Sequence, residues 1–485
     1  MKKVLAHLKP EAVFRYFEEI CGIPHGSGNT KEISDYVVDF AKKQGLRYRQ
    51  DSLHNVILWK NGSTGYENSA PVILQGHLDM VCEKENNCPI DMEKEGLLLE
   101  LNHGIISAKG TTLGGDDGIA VAYALAILES DDIPHPPLEV IFTVDEETGM
   151  TGAEALDCSE IQSRTMLNLD SEDEGFLLAG CAGGSKVTAH FPVEREKIAN
   201  GTMYNLDLTG MTGGHSGVEI DKGRANACHL LGRTLNALFS VTPFRLIRIN
   251  GGLKDNAIPR ESHAVILIES SDKYHMIQKK MQELDGIYRS EYELSDPGIS
   301  LQMTPSSATD TQAMTEESTR RVITALTCLP NGIERMSLDI EGLVQTSLNL
   351  GILITEDDSV SLSYSLRSSV ESEKTALTER ISRLTEALGG HIDISGDYPA
   401  WEYHKDSPLR DTMVRIFEKK YSRKPVIQAI HAGLECGIFA GKLPGLDCVS
   451  FGPDIKNIHT TEESMDTESV ARTWEYLLEI LRQLK

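Results

Sequence analysis

Several short stretches of the chain carry residues able to hold and use a metal ion. In Gly76-His77-Leu78-Asp79 the histidine and aspartate lie two apart, on one side of extended backbone. A histidine ligates through one ring nitrogen while a carboxylate accepts a hydrogen bond from the other. Glu146-Glu147 invites a division of labour, in which one glutamate binds a cation and its neighbour moves a proton; sequence leaves open which does which. Asp116-Asp117 sits in a glycine-rich break, Asp170 closes an apolar run, and His459 follows far downstream. Each piece alone has a plain explanation: a strand-end histidine, a solvated acidic loop, a helix cap. Together they do not, because carboxylates gathered in one crevice repel and raise one another's pKa unless a cation neutralises them. Histidine with Asp/Glu oxygens suits zinc, and manganese or cobalt accepts similar ligands.

The elements that must position these residues are legible around them. The run 138–144 is rich in β-branched and aromatic residues and reads as a buried strand delivering Glu146-Glu147. Residues 56–59, 71–75 and 164–169 are further strands, the last two leading into His77/Asp79 and Asp170. In an open α/β sheet the carboxyl ends of strands share one edge, where ligands bind. Residues 119–128 predict a buried helix, at whose entrance Asp116 or Asp117 can accept free N–H groups. Helices over 11–20 and 30–43, and a hairpin between 97 and 106, complete the first part.

From about residue 180 the pattern changes to strands alternating with helices, with a helix starting near Asp221 and others over 274–292 and 373–388. This predicts an inserted α/β domain, 186–396, built of two halves. It holds His215 in Thr212-Gly213-Gly214-His215-Ser216-Gly217, Asn256 and Arg367. Near 397 the chain returns to its first domain, 1–185, through a helix at 409–418, a strand at 425–430, His431 and Glu435 around a turn, a strand at 448–453 and a closing helix at 469–484.

Composition bounds the function. With 485 residues the chain is long enough for two or more domains. Seventy-three acidic against 47 basic residues give a net charge of −26, the wrong sign for nucleic acid. The basic start, Met1 to Pro10, lacks the apolar core of a signal peptide, and no run is long enough to span a bilayer. Nine cysteines without a CxxC pair read as mostly buried thiols of a reducing cytoplasm.

The ordered set GHLDMV, TTLGGDDGIA, DEETGMTGA, NLDSEDEG, GGHSG, HAGLECG and the late histidine resembles the dinuclear zinc peptidase family. That family joins bacterial aminoacyl-histidine dipeptidases with aminoacylases and carboxypeptidase G-type enzymes, and the resemblance spans nearly the whole chain. It implies a zinc-exopeptidase-like mixed-sheet catalytic domain with an inserted two-part α/β lid. It also implies that His77, Asp116 and Asp170 serve one ion and Asp116, Glu147 and His459 the other. A cis peptide at Asp116-Asp117 belongs to the same pattern. Asp79 would orient His77, and Glu146 would be the general base for attack of metal-activated water on a peptide carbonyl. His215 would stabilise the oxyanion; Asn256, Arg367, His431 and Glu435 would contact substrate. The implied activity is hydrolysis of unblocked dipeptides, Xaa-His included, in the cytoplasm by an enzyme able to form a homodimer. The alternatives are an N-acyl-amino-acid amidohydrolase and a non-catalytic metal- or peptide-binding protein.

Overall fold

The computed structural model describes residues 3–306 and 312–485; Met1 and Lys2, the first residues of the basic start, lie outside them. Two compact units divide the chain: Met1–Cys181 with Tyr403–Ala429 and Leu434–Lys485, and Ala182–Glu402 with Ile430–Gly433. His431 and Glu435, expected as a pair, therefore fall in different units.

The first unit is built on an eight-stranded mixed sheet in the order Arg47–Gln50, Val56–Lys60, Leu138–Thr143, Val72–His77, Thr165–Asn168, Asp447–Ser450, Phe176–Cys181, Val426–Ile430. Val72–His77 runs parallel to both Leu138–Thr143 and Thr165–Asn168, and Asp447–Ser450 is parallel to the latter. Four strands thus end at one edge, and all six residues of Val72–His77 and of Leu138–Thr143 are buried. Burial on both faces is why these strands read as continuous apolar runs. The strands expected over 56–59 and 71–75, consecutive in sequence, are separated in the sheet by Leu138–Thr143, the second starting at Val72.

The helix Gly115–Glu129 is apolar all round and buried from Gly115 to Leu128, as a helix inside a domain must be. It packs on the helix Glu11–Cys21 at Gly118, where a Cβ would make ordinary contact with Phe17 (3.4 Å) and Ile20 (3.6 Å). Asp116 and Asp117 have non-helical backbone angles, and the peptide between them is cis. The expected hairpin is Leu99–Asn102 with Ile105–Ala108.

The second unit contains a nine-stranded sheet whose topology reveals the two halves. One half runs Ser300–Pro305, Thr202–Thr209, Ser262–Ile268, Arg245–Gly251 from its edge inward, which is chain order fourth, first, third, second. The other runs His391–Tyr398, Gly183–Pro192, Ser359–Ser368, Val344–Thr355, the same permutation. Helices Ala227–Val241 and Ser271–Glu291 occupy the same chain positions in the first half as Glu316–Cys328 and Glu371–Ala387 do in the second. Each half is a β-α-β-β-α-β split unit, one inserted after the first strand of the other. The helix expected near Asp221 begins instead at Ala227. A left-handed Gly223 (φ 65°) ends a short 3-10 turn first, and the Asn226 side chain then accepts the His229 N–H at 3.1 Å as the N-cap.

Candidate metal centre

The sheet edge is shaped by close backbone approach. A Cβ on Gly76 would lie 2.4 Å from Asp117 Oδ2 and 2.8 Å from Ala120 Cβ, so only glycine lets the strand and the helix meet there. Asp117 Oδ2 accepts the His77 N–H at 3.1 Å, fixing the histidine's backbone. The capping expectation for the aspartates fails, since neither side chain caps the helix. Glu463 takes that role from far along the chain: its carboxylate accepts the N–H groups of Leu113 (2.7 Å), Gly114 (3.1 Å) and Gly115 (2.8 Å).

On this frame His77 Nε2 lies 3.1 Å from Asp116 Oδ1 and 3.9 Å from Asp170 Oδ1. His459 Nε2 lies 3.1 Å from Asp116 Oδ2 and 2.9 Å from Glu147 Oε1. The two oxygens of Asp116 therefore face two separate donor groups, His77/Asp116/Asp170 and Asp116/Glu147/His459, in each of which the ligand atoms lie within 4.8 Å of one another. Two ligand atoms each about 2.1 Å from a shared cation, at angles between square and tetrahedral, lie roughly 3.0 to 3.4 Å apart. Both separations to Asp116, 3.1 Å each, fall in that range; the His459–Glu147 pair at 2.9 Å lies just below it and the His77–Asp170 pair at 3.9 Å above it. The nitrogen and oxygen donors fit divalent ions, with Asp116 presenting one oxygen to each group.

Electrostatics point the same way. Burial pushes the Asp170 carboxyl well up, with Asp117 and Asp116 adding repulsion; burial does the same to Asp117. At Asp116 burial is overridden by contacts from His459 and His77, which hold the carboxyl well below the ordinary range. His77 is drawn well above its ordinary value despite burial, chiefly by Asp116 and Asp79. Asp116 and Glu147 draw His459 up to about 10. Among the described residues the ion pairs of these carboxylates are with histidines alone. The cluster thus recruits protons where cations would serve, the signature of a site built for positive charge.

Asp79 does more than orient His77. The His77 Nδ1 bond goes to the Asp79 backbone carbonyl at 2.9 Å, with the carboxylate farther away at 3.5 Å. That carboxylate instead accepts the Ser27 hydroxyl (2.8 Å) and the N–H groups of Glu146 (3.1 Å) and Glu147 (3.4 Å), so it fixes the glutamate turn. Asp145, just before, adopts a left-handed φ of 57°, a strained choice for a non-glycine residue of the kind found at functional turns. The turn sends Glu147 to His459. The Glu146 carboxyl is pushed up to about 8 by burial, with Glu435, Glu147 and Asp116 repelling it and His77 opposing.

Glu435 is fully buried, and its Oε2 accepts Gln75 Nε2 and Thr143 Oγ1, both at 2.6 Å. Asn168 donates in turn to Gln75. Glu435 Oε1 has no hydrogen-bond partner among the described residues, and burial raises the carboxyl to about 7.

The remaining expected residues cluster in the second unit. His215 Nδ1 accepts the N–H groups of Gly217 (3.1 Å) and Val218 (3.2 Å), which puts the ring proton on Nε2. Burial and the Arg367 charge lower its pKa. Asn256 is exposed, and its carbonyl accepts the Ser216 N–H at 2.9 Å. Arg367 donates through Nη1 to the Tyr398 hydroxyl at 3.1 Å, while its buried Nε has no partner among the described residues. His431 Nε2 meets Ser347 Oγ at 2.7 Å. Burial, then Arg367 and His215, push that histidine down to about 3. Sequence reasoning missed Glu463, Ser27, Gln75 and Thr143; a buried Glu463 beside the exposed Glu462 leaves no local signal, whereas Gln75, a polar residue inside an apolar strand, was a readable one.

Comparison with known proteins places this arrangement. The chain is 36% identical over 481 residues to the cytosol non-specific dipeptidase of Escherichia coli, covering 99% of each. It superposes on aminoacylhistidine dipeptidase from Vibrio alginolyticus with a TM-score of 0.92 at 36% identity, over 99% of this chain and 98% of that one. A Bacillus cereus aminopeptidase, 17% identical with a TM-score of 0.57 over 98% and 99% of the two chains, shares the fold. The family model for peptidases M20/M25/M40 matches residues 73–483, so the chain belongs to peptidase family M20/M25/M40.

Proposed function

We propose that the chain is a metal-dependent dipeptidase that hydrolyses unblocked dipeptides, Xaa-His peptides among them, with zinc as its ions and manganese or cobalt as substitutes. The observation that carries this reading is the sharing of Asp116 between two three-residue donor groups, with Glu146 beside them and outside the His459 group. His77, Asp116 and Asp170 would hold one ion; Asp116, Glu147 and His459 would hold the other. When bound, the ions supply Lewis acidity, lowering the pKa of a water and polarising the scissile carbonyl.

The chain's own residues do the rest. Glu146 removes a proton from the attacking water and returns it to the leaving amine. A carboxyl lifted towards neutral pH suits both transfers, and positive charge nearby draws it back towards the basic form. Asp79 keeps the glutamate turn in place. His215, with its proton on Nε2, is the donor for the developing oxyanion, in its own chain's site or in that of a second copy. Arg367, with a free buried Nε, and Asn256 bind the dipeptide's carboxylate. The open Oε1 of Glu435 and the neutral His431 meet the substrate's polar groups. The Escherichia coli and Vibrio relatives are both named as dipeptidases, and the first name favours a cytoplasmic location.

Glu146→Gln tests the mechanism. It keeps shape and metal content but removes the base, so turnover should fall by about 10²–10⁴. A variant with full metal content and wild-type turnover removes Glu146 from the mechanism.

A further inference from the structure

Outside the site above, the second unit carries another convergence of ligand types. Across three strands, Ser361 pairs with His190 and His190 pairs with His391, so the three side chains stand in one row on one face of the sheet. Asp393 is two residues beyond His391 and returns to that face. The two imidazoles stack, with centroids 5.0 Å apart and planes at 19°. His190 Nε2 lies 3.2 Å from Asp393 Oδ2, and one ligand atom from each of His190, His391 and Asp393 falls within 4.8 Å of the others. The His190 Nδ1 lies 2.8 Å from the Ser361 hydroxyl.

We propose that His190, His391 and Asp393 form a further metal site, separate from the dinuclear centre, for a borderline divalent cation such as Zn²⁺, Ni²⁺ or Cu²⁺. His190 Nδ1 faces the Ser361 hydroxyl; in the tautomer that donates Nδ1–H to Ser361, Nε2 carries a lone pair beside the Asp393 carboxylate. In that tautomer two acceptors stand 3.2 Å apart, an arrangement that a bound cation satisfies. A hydrogen bond on the far nitrogen is also how protein metal sites fix a ligand's tautomer and raise its basicity. Lys186, four residues from His190 on the same strand face, is held 3.3 Å from Asp255 and does not neutralise Asp393. Two imidazoles and one carboxylate select transition metals over magnesium or calcium, and three protein ligands leave a fourth position open.

The site also has a structural consequence. His391–Tyr398 is an edge strand with most of its residues exposed, paired among the described residues to Gly183–Pro192 alone. A cation held by His190 from one strand and His391 and Asp393 from the other clips that edge to the sheet, and binding to the folded state alone raises stability by mass action.

The test uses the full-length enzyme, loaded at its dinuclear centre and freed of excess ion, then titrated with zinc chloride while heat and melting temperature are followed. The expected result is one further equivalent per chain with a saturating rise in melting temperature. Asp393→Asn should weaken that binding about tenfold or more, and His190→Ala/His391→Ala should abolish it, with dipeptide hydrolysis unchanged in both. The exposed His391→Gln offers a milder variant should the double one fold poorly, and it too should lose the extra equivalent. Overturning results are no extra equivalent in the wild type, or one that persists in His391→Gln or the double variant.

Discussion

Glu463 is the residue whose replacement most sharply probes how the fold holds its centre. Its carboxylate takes three consecutive N–H groups, of Leu113, Gly114 and Gly115, immediately before Asp116, and the residue is only 2% exposed. In Glu463→Gln the single carbonyl oxygen can keep the Leu113 and Gly114 bonds, but the amide NH₂ then confronts the Gly115 N–H. One charge-assisted bond is lost, at about 1.5–3 kcal/mol, and two others weaken by about 1 kcal/mol each. Against this, burial raises the Glu463 carboxyl's pKa, and a neutral amide escapes that desolvation cost. The net loss should be about 2–3 kcal/mol. Because the orphaned N–H belongs to the residue before Asp116, metal retention should fall as well. Urea unfolding, together with ion counts after dialysis against a weak chelator, measures both. The exposed neighbour Glu462→Gln serves as control. Wild-type stability and metal retention in Glu463→Gln would refute the reasoning.

The other predictions concern ligands, pH and substrate. His77→Ala and His459→Ala should each retain about one ion fewer per chain by elemental analysis; full occupancy in both removes them as ligands. The folded chain holds His431 neutral down to about pH 3, while the unfolded chain protonates it near 6.5. Its contribution is therefore unaffected above 6.5 and costs stability as pH falls below it, by about 2 kcal/mol at pH 5. His431→Gln should flatten the stability profile by that amount between pH 6.5 and 5, and an unchanged slope contradicts the buried neutral state. Arg367→Lys loses the planar donor set and should raise KM about tenfold or more with a smaller change in kcat; an unaltered KM removes Arg367 from carboxylate binding.

The parts of the fold legible in sequence are those that local pattern encodes. The runs ending at His77, Glu146 and Asp170 are buried on both faces, so their apolar continuity announced parallel strands, and the strands' shared edge followed from the α/β rule. The helix after Asp117 announced itself by composition. What stayed hidden depends on partners distant in sequence. The N–H groups before Asp116 look like work for Asp116 or Asp117 until Glu463 arrives, nearly 350 residues later. Asp79 looks like a histidine orienter, yet most of its bonds secure Ser27 and the glutamate turn. The matching halves of the second unit share strand order rather than residues, and one interrupts the other, so no sequence repeat betrays them. Asn226 looked unremarkable in sequence and sets the helix start that Asp221 was expected to set.

The most direct test of the central claim is hydrolysis by the metal-loaded enzyme of a panel of unblocked dipeptides, N-blocked dipeptides, tripeptides and N-acylated amino acids, each with and without chelator. The account predicts chelator-sensitive cleavage confined mainly to the unblocked dipeptides. Cleavage of N-acylated amino acids with the dipeptides spared would contradict it, keeping the metal centre and making the chain a deacylase.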